Sequence, residues 1–260
     1  MNKEIEYFKV RLKLLWLENK EYKINLLMGF ISNITLFITI LALYYIVGNL
    51  FLFDYGFTMI DFITLFVLLL FSSILWRLFA NSKLSMMLKR GDFNKILTLP
   101  ISAFVFQAPF TMFGVGLVNI MVNFSILVIL LLVFYSPLYY IVGLTILVLG
   151  NLFQFTIMNY IFSFSFFMKQ NDFLYRLYYS STSGSVEQFT PIAFTNSSLY
   201  MLMALLPASI YGFWAVEAFK GNFEMFSIIL ITSLIGIIVF SILTYTNWKI
   251  GIRRYEGFGG

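Results

Sequence analysis

The chain has no cysteine and no histidine, and only 11% of its 260 residues are charged. Without cysteine there is neither a disulfide framework nor a thiolate site. Without histidine the commonest metal ligand and the commonest general base are missing. No Gly-x-x-x-x-Gly-Lys-Ser/Thr stretch occurs, so nothing in the sequence cradles the phosphates of a nucleotide. Charge itself is scarce, since a soluble domain carries about 25% charged residues.

Apolar residues take the place of charge. They make up 60% of the chain, aromatics make up 20%, and phenylalanine alone occurs 32 times. A water-soluble fold of this length could not hide so much apolar surface, so a bilayer is the expected solvent. Backbone crossing a bilayer is helical or belongs to a closed barrel. The apolar runs are long and continuous, without the alternation of barrel strands, so helices are expected.

Charge-free windows of about 20 residues place six spans. They run near Ile24 to Val47, Thr58 to Phe79, Phe110 to Phe134, Leu138 to Phe167, Ile192 to Phe213 and Met225 to Thr246. The uncharged stretch from Ile96 to Met168 is too long for one helix, and Tyr135-Ser136-Pro137 breaks it into a hairpin. The expected fold is an all-α membrane protein with six transmembrane helices, a single transmembrane domain over residues 1–260.

Lysine and arginine give the orientation. With six spans, sixteen of the seventeen basic residues fall on one side, and only Lys220 falls on the other. The opposite loops carry Asp54, Asp61, Glu217 and Glu224. Cytoplasmic N- and C-termini follow, at a plasma membrane, the prokaryotic cytoplasmic membrane. The net charge of +5 is accounted for by this asymmetry and calls for no nucleic acid.

Residues 1–23 are charged throughout and do not read as a cleavable signal. Ile5, Phe8, Leu12 and Leu15 or Trp16 recur at helical spacing, with Glu6, Lys9 and Lys13 on other faces. That is the pattern of an amphipathic helix lying along the inner surface.

A second charged piece interrupts the apolar runs between spans two and three. Asp92 is placed to cap a helix whose apolar positions are Phe93, Ile96, Leu97 and Pro100 or Ile101, and Pro100 ends it. Lys89, Arg90 and Lys95 keep it basic. Periodicity leaves two occupants open for its apolar stripe, lipid headgroups or another protein.

This stretch reads Gly91-Asp92-Phe93-Asn94-Lys95-Ile96-Leu97-Thr98-Leu99-Pro100-Ile101-Ser102, followed by Gln107. Pro191 stands before span five, Pro207 late in it, and the tail reads Arg254-Tyr255-Glu256-Gly257-Phe258-Gly259. In these motifs and in the order of parts, the whole chain resembles the membrane (permease) subunit of type-2 ABC exporters. It departs from that group in having Tyr211-Gly212-Phe213-Trp214, without proline, at the outer end of span five.

The resemblance implies that residues 89–102 form a cytoplasmic coupling helix docking on a separate ATPase subunit. Phe93 and Leu97 would be its knobs, with Arg90 and Lys95 at the rim and Lys89, Gly91, Asp92, Ile96 and Pro100 completing it. ATP and Mg would be bound by that partner, with no cofactor in this chain and no ATPase activity of its own. It also implies alternating access, a second six-span half, identical or related, and a short re-entrant piece around Leu206-Pro207 and the Glu217–Glu224 loop. The expected cargo is hydrophobic or amphipathic: a drug, a peptide or a lipid-like molecule. A membrane scaffold without transport activity and an intramembrane enzyme are the competing classes, and no convergent catalytic cluster supports the second.

Polar residues within spans are few. Asn119 and Asn123 share a helix face at a spacing of four, and Asn151 and Gln154 share one at a spacing of three. They are candidate pathway residues, with interhelical hydrogen bonding as the plainer expectation. Asp61 and Arg77 are expected to snorkel outward, because a charge at membrane depth is costly. Gly114, Gly116, Gly143, Gly150 and Gly236 are expected to let helices approach closely.

Overall fold

Long uninterrupted runs of Leu, Ile, Val and Phe satisfy their backbone polar groups within one segment by coiling into helices, and that is the form they take. A computed structural model describes residues 58–79, 84–98, 113–168 and 205–255, with short stretches and single positions between Glu6 and Ala42. Every element among the described residues is helical, and none is a strand. They are α1 (Met59–Phe79), α2 (Leu84–Arg90), α3 (Phe93–Leu97), α4 (Phe113–Phe134), α5 (Tyr140–Ser163) and α7 (Phe226–Arg254). Between α5 and α7 lies α6, a continuous helical stretch made of Pro207–Ser209, a π-turn at Ile210–Trp214, and Ala215–Lys220.

Two helical segments, Pro137–Phe166 and Phe226–Arg254, are long and apolar enough to cross a membrane. Apolar stretches at Met59–Leu75 in α1 and Asn119–Phe134 in α4 are shorter. Half of the first expected span, the N-terminal positions Ile5, Phe8, Leu12, Leu15 and Trp16, and residues 192–204 of the fifth span lie outside the described residues.

α7 packs along α5, α1 against α4, and α6 is wedged against α5 and α1. The core joins Leu65 and Leu68 of α1, Leu127 and Leu131 of α4, Ile146 and Leu147 of α5, and Ile210, Val216 and Phe219 of α6. The turn between α4 and α5 is pinned by the Tyr140 hydroxyl, which donates to the carbonyls of Leu131 and Tyr135.

α7 leaves most of its large aliphatic side chains exposed. Its buried residues are Ile229, Ser233, Thr244, Trp248 and Gly251. Its exposed residues include Ile231, Leu234, Ile235, Ile238, Val239 and Ile242. Ser233, Thr244 and Gly251 turn inward beside Ile229 and Trp248, while most of the branched aliphatic side chains turn outward. On α4, Asn123 is buried with Leu127, Leu130 and Leu131, while Ile129, Leu132 and Val133 are exposed. Water as solvent disfavours exposed aliphatic surface of this extent.

α6 differs from the expected fifth span. Leu206 is extended and Pro207 opens the helix at its first position, where a missing N–H costs nothing. Proline here starts a helix and does not sit late in one. Glu217 belongs to the helix, so the loop at this end is confined to residues 221–225. From Pro207 to Lys220 the rise is about 21 Å, short of the roughly 30 Å of a hydrocarbon core. Nearly all of α6 is buried. Its π-turn lies on Gly150 of α5, where an added Cβ would stand 2.7 Å from the Tyr211 amide nitrogen. Only a glycine admits backbone that close.

Candidate functional site

The ends of the helices gather into two chemically different clusters. At one end, Asp61 at the start of α1 meets Tyr135 beyond the end of α4, and Tyr139 before α5 meets Phe223 before α7. At the other, α3 meets the ends of α5 and α7. Arg90, Lys249, Arg253 and Arg254 belong to the second, basic end, and Asp61, Glu217, Lys220 and Glu224 to the first.

The basic end is organised by Phe93. α2 stops at Arg90, and Gly91, with φ 72°, turns the chain in the left-handed region before α3 begins at Phe93. Asn94 N–H donates to the Gly91 carbonyl at 3.1 Å. The turn rolls Phe93 inward until its ring is 0% exposed. There it is boxed by Phe166, Trp248 and Tyr255, with ring centroids at 5.5, 6.3 and 5.1 Å. Phe166 and Trp248 also meet edge to face at 5.1 Å. Leu84 and Leu88 of α2 complete the cluster. The insert is thereby fastened to the ends of α5 and α7 by close aromatic contacts, each worth about 0.5–1.5 kcal/mol beyond the area it buries.

Two features of the expected coupling segment change. It is a pair of short helices broken at Gly91-Asp92, not one helix over 89–102. Phe93 is no surface knob, because the αL turn points its ring into the bundle. The exposed positions are Arg90, Asn94, Leu97 and Thr98, and Leu97 is the large apolar one at 42% exposure. Gly91 and Asp92 are half-buried. Lys89, Lys95 and Ile96 lie on the two helices, but their side chains, like Pro100 as a whole, are outside the described residues.

The acidic end is built around Asp61, which is 3% exposed and does not turn outward as its cost in lipid would suggest. It sits in the first turn of α1, where its carboxylate accepts from Thr58 N–H at 3.0 Å and from Thr58 Oγ1 at 2.8 Å. Asp61 N–H donates to Thr58 Oγ1 at 3.3 Å, closing a reciprocal capping box. Asp61 Oδ1 accepts from the Tyr135 hydroxyl at 2.9 Å, and Thr64 Oγ1 stands 3.1 Å from the same hydroxyl. Burial, together with the neighbouring carboxylates of Asp61 and Glu217, pushes the Tyr135 hydroxyl well above its ordinary value. It therefore stays a neutral donor.

From α6, Lys220 Nζ reaches Glu217 Oε1 at 3.1 Å and Asp61 Oδ2 at 3.5 Å. Asn222 Nδ2 donates to the other Glu217 oxygen at 2.7 Å. A carboxylate of α1, a phenol between α4 and α5, and an ammonium of α6 thus converge. Asp61 is affordable in this buried place because every contact it makes is to a donor or a cation.

The interior polar residues fall into two groups. Asn123 Nδ2 donates to the Asn119 carbonyl at 2.8 Å, within its own helix. Asn151 Nδ2 donates to Ser72 Oγ of α1 at 2.9 Å, as well as to the Leu147 carbonyl. Its Oδ1 is buried with no hydrogen-bond partner among the described residues. Gln154 is 1% exposed. Further along, Asn247 of α7 donates to Ser163 Oγ of α5 at 3.0 Å. The α1–α5 and α5–α7 seams are stitched in this way. The Arg77 side chain lies outside the described residues.

Sequence reasoning missed Tyr135, Thr64 and the convergence on Asp61. Two local signals were present: the Thr58-x-x-Asp61 spacing of a capping box, and the Glu217-x-x-Lys220 spacing of a helical ion pair. Neither tells which distant residue completes the cluster. Comparison with family models, with curated proteins and with solved structures finds no match to this chain.

Proposed function

We propose that this chain is the permease subunit of a type-2 ABC exporter, working with a separate ATPase that binds ATP and Mg. The observation that carries the reading is the burial of Phe93 between α5 and α7. A loop that merely rests on headgroups gains nothing from an aromatic box. A loop that receives force must be fixed to what it moves, and Phe93 fixes α2 and α3 to the ends of two long helices. The exposed row Arg90, Asn94, Leu97 and Thr98 then serves as the docking surface, with Leu97 as its apolar centre and Arg90 at the rim.

The membrane part of the reading is supported by the large aliphatic side chains that α7 and α4 leave exposed, which suit a lipid solvent. The basic end, carrying Arg90, Lys249, Arg253 and Arg254, is assigned to the cytoplasm by the lysine and arginine bias. Six spans, both termini in the cytoplasm and pairing with a second six-span half, identical or related, complete the architecture proposed. A hydrophobic or amphipathic cargo is the substrate class proposed.

The test is purification of the full chain from its native host under mild detergent. An ATPase with a phosphate-cradling loop should co-purify, and its hydrolysis should rise when the complex is placed in lipid. Recovery of the chain with no ATPase partner would refute the assignment.

A further inference from the structure

One stripe of α7 changes character along its length. Ile235, Ile238, Ile242, Tyr245, Lys249 and Arg253 follow one another at spacings of three and four, so they share one side of the helix. All six are exposed, the three isoleucines at 56–59% and Tyr245 at 68%. The buried side, marked by Ser233, Thr244, Trp248 and Gly251, lies opposite. Toward the basic end the stripe therefore runs from aliphatic to phenolic to cationic. Its dimensions match one leaflet. From Ile235 to Tyr245 the helix rises about 15 Å, half of the roughly 30 Å of a hydrocarbon core. Lys249 lies about 6 Å beyond Tyr245, at the depth of the headgroup layer, which is about 5–8 Å thick on each side. Arg253 is one turn further, and its long side chain reaches back toward the phosphates from a backbone that has already left the hydrocarbon.

We propose that this stripe binds an anionic phospholipid of the leaflet at the basic end, with acyl chains along the isoleucines and the phosphate held by Lys249 and Arg253. The inference rests on the membrane part of the reading above and not on transport. α7 contains no acidic residue, and neither Lys249 nor Arg253 has an ion-pair partner among the described residues. Two uncompensated cations one turn apart call for net negative charge. A zwitterionic headgroup brings a cation of its own and answers them less well. Tyr245 stands at the hydrocarbon edge, where an amphipathic ring is favoured. The continuity of the stripe selects lipid over protein. A partner arriving from water meets the cations but not the isoleucines below them, whereas one phospholipid meets both.

The test titrates the full chain in mild detergent with phosphatidylglycerol and, separately, with phosphatidylcholine of the same acyl chains, and counts bound lipids by native mass spectrometry. The parent is expected to hold phosphatidylglycerol more tightly, by about five-fold for each cation engaged. Lys249→Gln combined with Arg253→Gln is expected to abolish the preference, and Lys249→Arg to keep it. Arg254→Gln removes an equally exposed cation that lies off the stripe, and it too is expected to keep the preference. All these positions are exposed, so the variants fold as the parent does. Equal retention of the two lipids by the parent would overturn the proposal, as would a preference that survives the double variant or is lost equally in Arg254→Gln. Loss of a co-purifying ATPase from the double variant, with lipid preference unchanged, would overturn it by giving these cations to a protein. Retention of neither lipid would overturn both this proposal and the membrane reading beneath it. Absence of an ATPase partner leaves the lipid preference untouched, so this proposal and the transport reading fail separately.

Discussion

The ring of Phe93 meets that of Tyr255 edge to face, with centroids 5.1 Å apart and planes at 82°. The residue just past α7 therefore covers the residue that opens α3, and two segments far apart in sequence close one box. Within that box, shape and burial carry the contact, and polar groups contribute little.

Phe93→Ala should empty the box at a cost of about 3–5 kcal/mol to the packing of the insert. The long helices are anchored elsewhere, so the loss should be local. Hydrogen exchange over residues 84–98 should accelerate while α5 and the middle of α7 stay protected. Loss of ATPase coupling should accompany it.

Tyr255→Phe should be neutral or slightly stabilising. The Tyr255 hydroxyl is buried with no hydrogen-bond partner among the described residues, so its removal relieves an unmet donor. Tyr255→Ala should loosen the insert as Phe93→Ala does. Thermal unfolding of the three proteins in one detergent gives the ranking.

Leu97→Asp and Arg90→Glu should act differently from Phe93→Ala. Both positions are exposed, so the melting temperature should stay within a degree or two of the parent, as exposed substitutions usually change stability by about 0.5 kcal/mol or less. Co-purification of the ATPase should fall for both, more for Leu97→Asp. Unimpaired co-purification in both would remove the docking role of this face.

Tyr135→Phe leaves Asp61 Oδ1 without its phenolic donor, at a cost of about 1–3 kcal/mol. The pH dependence follows from the raised position of the Tyr135 hydroxyl. In the unfolded chain it ionises near its ordinary value of 10.0, whereas in the folded chain it holds its proton to higher pH. Its contribution is therefore complete below pH about 10 and declines as the pH rises above that. The parent should lose stability more steeply than Tyr135→Phe between neutral and strongly alkaline pH, and chemical unfolding across that range measures the difference.

Gly150→Ala should be among the more damaging single-methyl additions in the chain. The new Cβ would stand 2.7 Å from the Tyr211 amide nitrogen and 2.9 Å from its Cβ, and backbone cannot yield as a side-chain tip can. Overpacking of this kind costs about 1–3 kcal/mol. The shift should appear in thermal unfolding of the full chain, with Ala substituted at an exposed site of α7 as the control.

The helical class, the hairpin break at Tyr135-Ser136-Pro137, both ends of α1 and the end of α4 were legible because apolar run length and proline act locally. Phe93 was singled out from spacing alone, but spacing does not say on which side of a turn a ring emerges. That depends on Gly91 adopting a positive φ, which a sequence permits without requiring. Asp61 was read as an isolated charge near a span end, since its partners Tyr135 and Lys220 are far away in sequence. α6 was extended back through Pro207 because the hydropathy on the two sides of that residue is similar, and only the extended Leu206 reveals the restart.

The length of α7 has one more implication. From Phe226 to Arg254 it extends about 43 Å, against about 30 Å of hydrocarbon. Glu224 precedes it, and the next charge along the chain is Lys249. In the proposed membrane orientation the surplus falls at the basic end, as a stub of about two turns standing clear of the lipid. The aromatic box is seated on that stub, between Trp248 and Tyr255. On the proposed function, a partner ATPase would reach α2 and α3 through open water without parting headgroups, and a small tilt of the buried helix would become a larger sweep at the tip.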